Sequence, residues 1–296
     1  MTTNAKTYVN AVLFSPDGTT FAVGGNNGVL SLWDRDTASI QRRLGSHETH
    51  VTTLSFSQDS KLLLSGDESG LSVLWDLSTG NILQKIVHAY GPVFCAYFLN
   101  ENSKIVLSVD NRIQLYNSDD YKLIKETQEY YTPLHSSMLK NGDFIISDGG
   151  GSIYLQSKNF DFNKLIVDSL DVVKYLLVDN TDRQCFIWTG DDILVVNLEN
   201  LEFVKSFGER ASDIGLALTG VQSPDGTYLA TCGAEGMVWL FDVQTEKMVR
   251  VFNGHTDLVT SIDFSPDGKY LLTGSYDSTV RIWEVTTGFE VKRIEL

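Results

Sequence analysis

Short runs of alternating apolar and polar residues, separated by turn residues, follow one another along the whole chain. Val259 to Phe264 alternates in this way before a Ser-Pro-Asp-Gly turn at 265–268, and Tyr270 to Thr273 is the next apolar run. Alternation with a period of two is typical of half-buried β-strands. Proline presets φ, aspartate bonds back to the backbone and glycine accepts positive φ, so the turn predicts a β-hairpin. The pattern favours an all-β fold.

The hairpin is repeated. Ser-Pro-Asp-Gly recurs at 15–18 and 223–226, and Ser-Gln-Asp-Ser at 57–60 is a weaker copy. After the hairpin, one position recurs in every repeat and is usually an aromatic residue followed by a polar one. In chain order this position holds Trp33, Trp75, Tyr116, Gln156, Val196, Phe241 and Trp283. Steps of roughly 40 residues are the period of a four-stranded propeller blade. We predict a single seven-bladed β-propeller of four-stranded antiparallel blades, at approximately 8–45, 46–88, 89–128, 129–168, 169–208, 209–252 and 253–296.

The last repeat carries the clearest motif. It contains Gly254-His255, the turn at 265–268, Asp277 and finally Ile282-Trp283. This stretch resembles a WD repeat, whose signature is Gly-His early in the repeat and Trp-Asp at its end. Blades 1, 2, 6 and 7 resemble the family clearly. Blades 3 to 5 keep the spacing and lose most of the signature.

The resemblance also raises the question of how the ring closes. Many WD-repeat proteins lend an N-terminal strand to the last blade. Here the innermost strand of blade 1 is predicted at about Val9–Phe14, and the outermost strand of blade 7 at about Phe289–Ile294. We therefore expect blade 7 to hold four strands from one contiguous stretch, with closure through the packing of blade 7 on blade 1.

A histidine, a hydroxyl and a carboxylate in the last repeat could suggest a catalytic triad. The resemblance implies instead a buried hydrogen-bond network of His255, Thr273, Asp277 and Trp283. No oxyanion-hole motif accompanies these residues, so we expect no catalytic residues. Blade 2 offers a matching set of His47, Ser65 and Trp75. It has Ser69 where the family has aspartate, and blade 7 alone is expected to carry the full network.

The formal net charge of −15 disfavours nucleic acid and anionic membranes as partners and favours basic proteins or peptides. The histidines and cysteines show no metal-ligand spacing, and we expect no metal and no cofactor. Cys95, Cys185 and Cys232 lie in apolar runs, which indicates buried free thiols and a cytoplasmic or nuclear location. From the pattern of apolar residues we expect neither an N-terminal signal peptide nor a membrane-spanning segment.

WD-repeat proteins that bind peptides use the narrower face of the ring, built by the loops between the fourth and first strands and between the second and third. The resemblance places eleven residues of this chain there: Tyr8, Asn10, Asn26, His50, Thr52, Glu68, Phe94, Lys174, Leu258, Thr260 and Tyr276. Tyr131 and His135 are further candidates in blade 4. Exposed aromatic residues around a concave mouth are typical binding hot spots.

Three functions compete. A non-catalytic scaffold or adaptor subunit of a multiprotein complex fits a chain that is almost entirely propeller. The alternative is a reader of a short basic peptide, such as a histone-like tail, at an acidic mouth. A propeller enzyme acting in the central channel needs convergent acid–base or metal groups, which the sequence does not offer.

Overall fold

The computed structural model describes the chain except residues 1–5, 46, 89–90, 100–103, 110–111, 128–132, 162, 169, 171–172, 190–191 and 208–216. The described residues form short β-strands, and their only helical segment is a 3-10 turn at Asn26–Gly28. Alternating side chains rich in valine, leucine, isoleucine and aromatic residues suit strands with one face in the core.

Each blade contributes four strands in chain order. In blades 1 and 2 they are β1 (Val9–Phe14), β2 (Thr20–Gly25), β3 (Leu30–Asp34), β4 (Ile40–Leu44), β5 (Val51–Phe56), β6 (Leu62–Asp67), β7 (Leu71–Asp76) and β8 (Ile82–Val87). In blades 3 to 5 they are β9 (Val93–Leu99), β10 (Lys104–Val109), β11 (Arg112–Asn117), β12 (Leu123–Glu126), β13 (Pro133–Met138), β14 (Phe144–Asp148), β15 (Ile153–Gln156), β16 (Asn163–Val167), β17 (Tyr175–Val178), β18 (Gln184–Trp188), β19 (Ile193–Asn197) and β20 (Glu202–Ser206). In blades 6 and 7 they are β21 (Ala217–Gln222), β22 (Tyr228–Gly233), β23 (Met237–Asp242), β24 (Met248–Asn253), β25 (Val259–Phe264), β26 (Tyr270–Ser275), β27 (Thr279–Glu284) and β28 (Glu290–Glu295).

The four strands of every blade pair in sequence as antiparallel neighbours, giving seven separate four-stranded sheets. The first strands β1, β5, β9, β13, β17, β21 and β25 contact one another in a closed cycle. They therefore surround the axis, and the last strand of each blade forms the outer rim. The predicted seven-bladed propeller is confirmed.

The repeated turns stabilise the hairpins between the first and second strands. The Ser15 hydroxyl donates to Asp17 at 2.6 Å, and Gly18 has φ of 70°. Ser265 makes the same 2.6 Å bond to Asp267. These side chains satisfy backbone and carboxylate groups within the turn, as the sequence predicts.

Blade 7 is built from the contiguous strands β25 to β28, as expected. A shared core of buried residues, including Val9, Val12, Leu272 and Val280, joins it to blade 1. Closure therefore includes face-to-face apolar packing of the two terminal blades.

Polar side chains reinforce the seam between blades 7 and 1. The Val12 N–H donates to Ser261 Oγ at 3.0 Å, and the Thr260 hydroxyl donates to the Val9 carbonyl at 2.7 Å. These groups satisfy the axial edge of β1, which has no strand neighbour of its own on that side.

The three cysteines are buried and free. Burial raises the pKa of the Cys185 thiol to about 12 and that of Cys95 above its ordinary value. The thiols are therefore inert and act as small apolar side chains.

Candidate protein-interaction site

The hydrogen-bond network of blade 7 runs from the loop before β25 to β27. Trp283 Nε1 donates to Thr273 Oγ1 at 2.9 Å, and Thr273 lies 2.7 Å from His255 Nε2. His255 Nδ1 is 2.9 Å from Asp277 Oδ2. The carboxylate fixes the tautomer: Nδ1–H donates to Asp277, so Nε2 accepts from the threonine hydroxyl.

Burial lowers the pKa of His255, although Asp277 opposes the shift. Burial raises the pKa of Asp277, but hydrogen bonds from Thr279 and His255 outweigh it and hold that pKa below its usual range. The pair is therefore a neutral imidazole beside a carboxylate. The Thr273 hydroxyl has no access to substrate, since this residue is fully buried. The geometry suits a structural cross-link and not nucleophilic catalysis.

Blade 2 has the same network with a different carboxylate, so the expectation that blade 7 alone carries the full set is wrong. His47 Nδ1 lies 2.8 Å from Asp67 Oδ2, and His47 Nε2 lies 2.7 Å from Ser65 Oγ. Trp75 Nε1 donates to Ser65 at 2.9 Å. Ser69, where the family has aspartate, donates to Asp67 at 2.7 Å.

Strand pairing explains the difference between blades 2 and 7. Asp67 pairs with Val51 as Ser275 pairs with Val259. Blade 2 thus has Asp then Ser at 67 and 69, where blade 7 has Ser then Asp at 275 and 277. The order of the two residues is exchanged, and either order brings a carboxylate to the histidine. Comparing the two stretches for a neighbouring acid would have revealed Asp67 from the sequence.

Four of the predicted binding residues are bulge residues of first strands. The register shifts by one residue at Asn10, Thr52, Phe94 and Thr260. A bulge redirects the extra side chain, and all four line a central cavity. The Thr52 hydroxyl donates to the Val93 carbonyl at 2.6 Å, as Thr260 does to Val9, so these two hydroxyls join neighbouring blades.

Backbone hydrogen bonds fix the two kinds of narrow-face loop together. Glu68 N–H donates to the His50 carbonyl at 3.0 Å, and Tyr276 N–H to the Leu258 carbonyl at 2.9 Å. In blade 1 Asn26 N–H donates to the Tyr8 carbonyl at 3.0 Å. The loops therefore present their side chains from a rigid base.

Tyr8 and Tyr276 form an aromatic pair across blades 1 and 7. Their ring centroids are 5.2 Å apart, and the residues are 36% and 37% exposed. Lys6 Nζ lies 5.4 Å from the Tyr8 ring centre and 3.9 Å from Asp257. The two rings are tilted by 44° to each other, and both still offer aromatic surface to solvent.

On blade 2 the exposed side chains of His50 and Glu68 form a 3.2 Å ion pair when the histidine is protonated. We name the surface formed by Tyr8, His50, Glu68, Asp257 and Tyr276 the narrow-face patch. It spans blades 7, 1 and 2.

The remaining candidates are less available to a partner. Asn26 is buried, and its amide accepts from Tyr8 N–H at 2.8 Å and donates to the Lys6 carbonyl at 2.9 Å. Leu258 and Lys174 are half-buried, and the charge of Lys174 acts on His135. Tyr131 lies outside the described residues.

Among the described residues, no three His, Cys, Asp or Glu side chains converge on a possible metal site. No helix in the described part of the chain is both long and apolar enough to cross a membrane.

The fold defines a seven-bladed β-propeller with four antiparallel strands in each blade. The profile of the family described as WD domain, G-beta repeat, matches residues 1–34, 38–76, 203–242 and 246–284, and the chain belongs to this WD-repeat family. The matched stretches lie in blades 1, 2, 6 and 7 and the intervening strands of blades 3 to 5 are nearly all unmatched, as the uneven signature predicts.

Similar proteins share single stretches of the chain. U3 snoRNP-associated protein-like EMB2271 of Arabidopsis thaliana is 38% identical over 96 residues, 32% of this chain and 19% of that protein. Protein groucho of Drosophila melanogaster is 41% identical over 71 residues, 24% of this chain and 10% of that protein. Transducin-like enhancer protein 2 of Mus musculus is 39% identical over 71 residues, which are 24% of this chain and 9% of that protein. The matches thus cover less than a fifth of each relative's length.

Proposed function

We propose that the protein is a non-catalytic scaffold or adaptor subunit of a multiprotein complex, and that it holds other proteins or peptides on its narrow face. The observation that carries this proposal is the Tyr8–Tyr276 pair, in which each residue is more than one third exposed, on hydrogen-bonded loops of adjacent blades. A rigidly held aromatic residue offers a large contact area and loses little rotamer entropy on binding.

The partner segment is basic. Glu68 and Asp257 lie in the narrow-face patch with side chains about half exposed, at 58% and 49%, and the chain has a formal net charge of −15. These charges speed the association of a basic partner and make it salt-sensitive. The same features support the alternative that the protein reads a short basic peptide such as a histone-like tail.

The proposal places the protein in the cytoplasm or the nucleus. Its three free, buried cysteines suit a reducing compartment. One relative carries the name U3 snoRNP-associated protein-like EMB2271, which supports a place in a larger assembly. Neither nucleic acid nor a membrane is a direct partner in this proposal, because the chain's net charge repels anionic surfaces.

The test is a set of single alanine substitutions at Tyr8, His50, Phe94 and Tyr276, each shown to melt as the parent protein does. The tagged proteins are purified from the cells that normally make the chain, and co-purifying subunits are quantified by mass spectrometry. Truncating an aromatic contact should weaken binding by about 2 kcal/mol or more. A basic partner should also dissociate faster as salt is raised.

Substitutions on the outer rim serve as matched controls. Arg43→Ala on β4 and Lys247→Ala just before β24 remove exposed charges far from the axis. They should leave every subunit bound. If the four narrow-face variants keep all subunits and the rim variants lose them, partners bind the rim and the proposal is wrong.

A further inference from the structure

The first strands of the seven blades enclose a cavity of about 460 Å³. Its lining combines aromatic and polar side chains, among them Phe94, Tyr97, His135, Tyr175, Thr219 and Asp263. One water molecule occupies roughly 30 Å³ of the liquid. The cavity therefore has room for an organic group and its hydration.

Among the described residues that line this cavity, Asp263 is the only carboxylate, and none is a lysine or an arginine. One carboxylate oxygen accepts the Phe14 N–H at 2.7 Å. Burial raises the pKa of Asp263 to about 7, although the N–H groups of Phe14 and Phe264 oppose the shift. A buried carboxylate that lacks a cation costs the folded state free energy.

The blade seam itself does not require this charge. At the equivalent position in blade 4, the Ser137 hydroxyl accepts the Val178 N–H at 2.9 Å. A neutral serine thus makes the bond between first strands that Asp263 makes between blades 7 and 1. The negative charge of Asp263 is therefore not needed for the hydrogen bond between the two blades.

His135 supplies a second acceptor on the other side of the cavity. Burial lowers the pKa of His135 to about 4, and the nearby charge of Lys174 adds to this. The ring is therefore neutral at physiological pH, with one nitrogen able to accept a hydrogen bond. Its ring meets Tyr175 edge-on at 5.8 Å between centroids. No described residue forms a hydrogen bond with either ring nitrogen.

We propose that the cavity binds a compact organic cation, an ammonium or guanidinium group, which pairs with Asp263 and donates a hydrogen bond to His135. The rings of Phe94 and Tyr175 supply further attraction, because the face of an aromatic ring is negative. The cation belongs either to a free small molecule or to a basic side chain of a bound protein. The site does not depend on the narrow-face patch, since a free cation needs no protein partner.

Asp263 also makes the binding pH-dependent. The other titratable groups that line the cavity stay neutral between pH 6 and 8: the pKa is about 4 for His135 and about 12 for Tyr175, and burial raises the pKa of Tyr97 and Cys95 above their ordinary values. Cation affinity should therefore rise roughly tenfold per pH unit as Asp263 ionises and level off above pH 7.

The experiment measures binding of ethylguanidinium, methylammonium and a short blocked arginine peptide to the full chain, by calorimetry and by the shift in melting temperature at pH 8. Sodium chloride at equal ionic strength is the reference. The parent protein should bind at least one probe. Asp263→Asn should bind it at least tenfold more weakly while melting at a higher temperature than the parent.

Two further variants keep the test decisive. Asp263→Ser copies Ser137 and preserves the seam bond if the asparagine variant folds poorly. Asp36→Asn removes the same charge from a side chain that is 80% exposed, and it should bind as the parent does. Binding of the free cations identifies a small-molecule ligand, and binding of the peptide alone identifies a basic side chain. If no probe exceeds sodium chloride, or if Asp263→Asn binds as well as the parent, the proposal is overturned.

Discussion

Blades 2 and 7 differ from blades 3 to 5 in what occupies equivalent positions of the same sheet. Where blade 7 has Thr273 on its second strand, pairing places Leu107, Ile146 and Ile187 in blades 3, 4 and 5. Where blade 7 has Trp283, they have Tyr116, Gln156 and Val196. All five blades are nevertheless complete four-stranded sheets.

The comparison separates the architecture of a blade from its signature. Alternating strands and hairpin turns are sufficient to build the sheet, because every blade has them. The polar network is a cross-link added to this frame. A buried polar network stabilises only when every member is satisfied, while apolar side chains can replace a whole network at little cost. Removing one residue of the network should therefore destabilise the protein more than replacing the whole network with apolar side chains.

The largest expected effect follows from breaking the blade 2 network. Asp67→Ser leaves His47 without its carboxylate and should lower the free energy of unfolding by about 3 kcal/mol. The double variant Asp67→Ser with Ser69→Asp recreates the order found in blade 7. It should recover at least half of that loss. Denaturant unfolding of the three proteins measures both effects.

The double variant also tests whether the carboxylate can stand at either position 67 or position 69. If it is no more stable than Asp67→Ser alone, the two positions are not interchangeable. The equivalence of the blade 2 and blade 7 networks would then be wrong.

A smaller effect distinguishes the histidine of blade 4 from those of blades 2 and 7. No carboxylate of the described residues forms an ion pair with His135, and burial lowers its pKa to about 4, below the ordinary 6.5. The unfolded chain takes up a proton as pH falls below 6.5 while the folded chain does not, so stability is lost between pH 6.5 and 4. At pH 5 the loss is about 2 kcal/mol.

The measurement compares the parent with His135→Phe at pH 7 and pH 5. The parent should lose about 2 kcal/mol more than the variant between these values. The pKa values of His47 and His255 are also lowered, so these residues likewise reduce the stability of the fold as pH falls. Asp263 has the opposite effect, because its raised pKa favours the folded state as pH falls. These residues are present in both proteins, so the difference reports His135. Equal losses would show that His135 is protonated in the folded ring.

Most of the fold is predictable from the sequence, because hairpin turns and alternation are local. Blade 7 illustrates this: its predicted contiguous strands are those of the structure. The network of blade 2 was only half predictable, since Asp67 departs from the family position. Asp263 and His135 were not predictable as a pair, because they lie on different blades and line the same cavity only when the ring closes. The available signal was a charged aspartate near the end of a first strand whose other polar residues, Thr260 and Ser261, are neutral.

Trp188 makes one hydrogen bond of the network type, but it makes this bond between two blades and not within one. It lies on β18 of blade 5, and its Nε1–H donates to Thr231 Oγ1 of blade 6 at 2.9 Å. Thr231 occupies the position of Thr273. Thr231→Val keeps the shape and leaves the indole N–H without its acceptor, which should cost about 1 to 2 kcal/mol. Thr286→Val, at an exposed turn, is the control and should change stability little. Equal effects of the two substitutions would exclude the bridge as a source of stability.

The smallest expected difference concerns local opening along the ring. β12, β15 and β17 are four residues long, whereas every strand of blades 2 and 7 has six. Shorter strands have fewer ladder hydrogen bonds, and none of blades 3 to 5 has the side-chain network at the equivalent positions described above. Opening free energies should be lower in blades 3 to 5 than in blades 2 and 7, by on the order of 1 kcal/mol.

Native-state hydrogen exchange, followed by mass spectrometry of peptides from each blade, measures this difference directly. The second and third strands of each blade are the fair comparison, because they are paired on both sides. Neighbouring blades share cores, so opening in blade 4 should spread first to blades 3 and 5. Exchange in blade 7 before blade 4 would mean that apolar replacement of the network stabilises a blade more than the network does. The network would then serve to fix the loop that carries His255, and with it the narrow face, rather than to hold the sheet together.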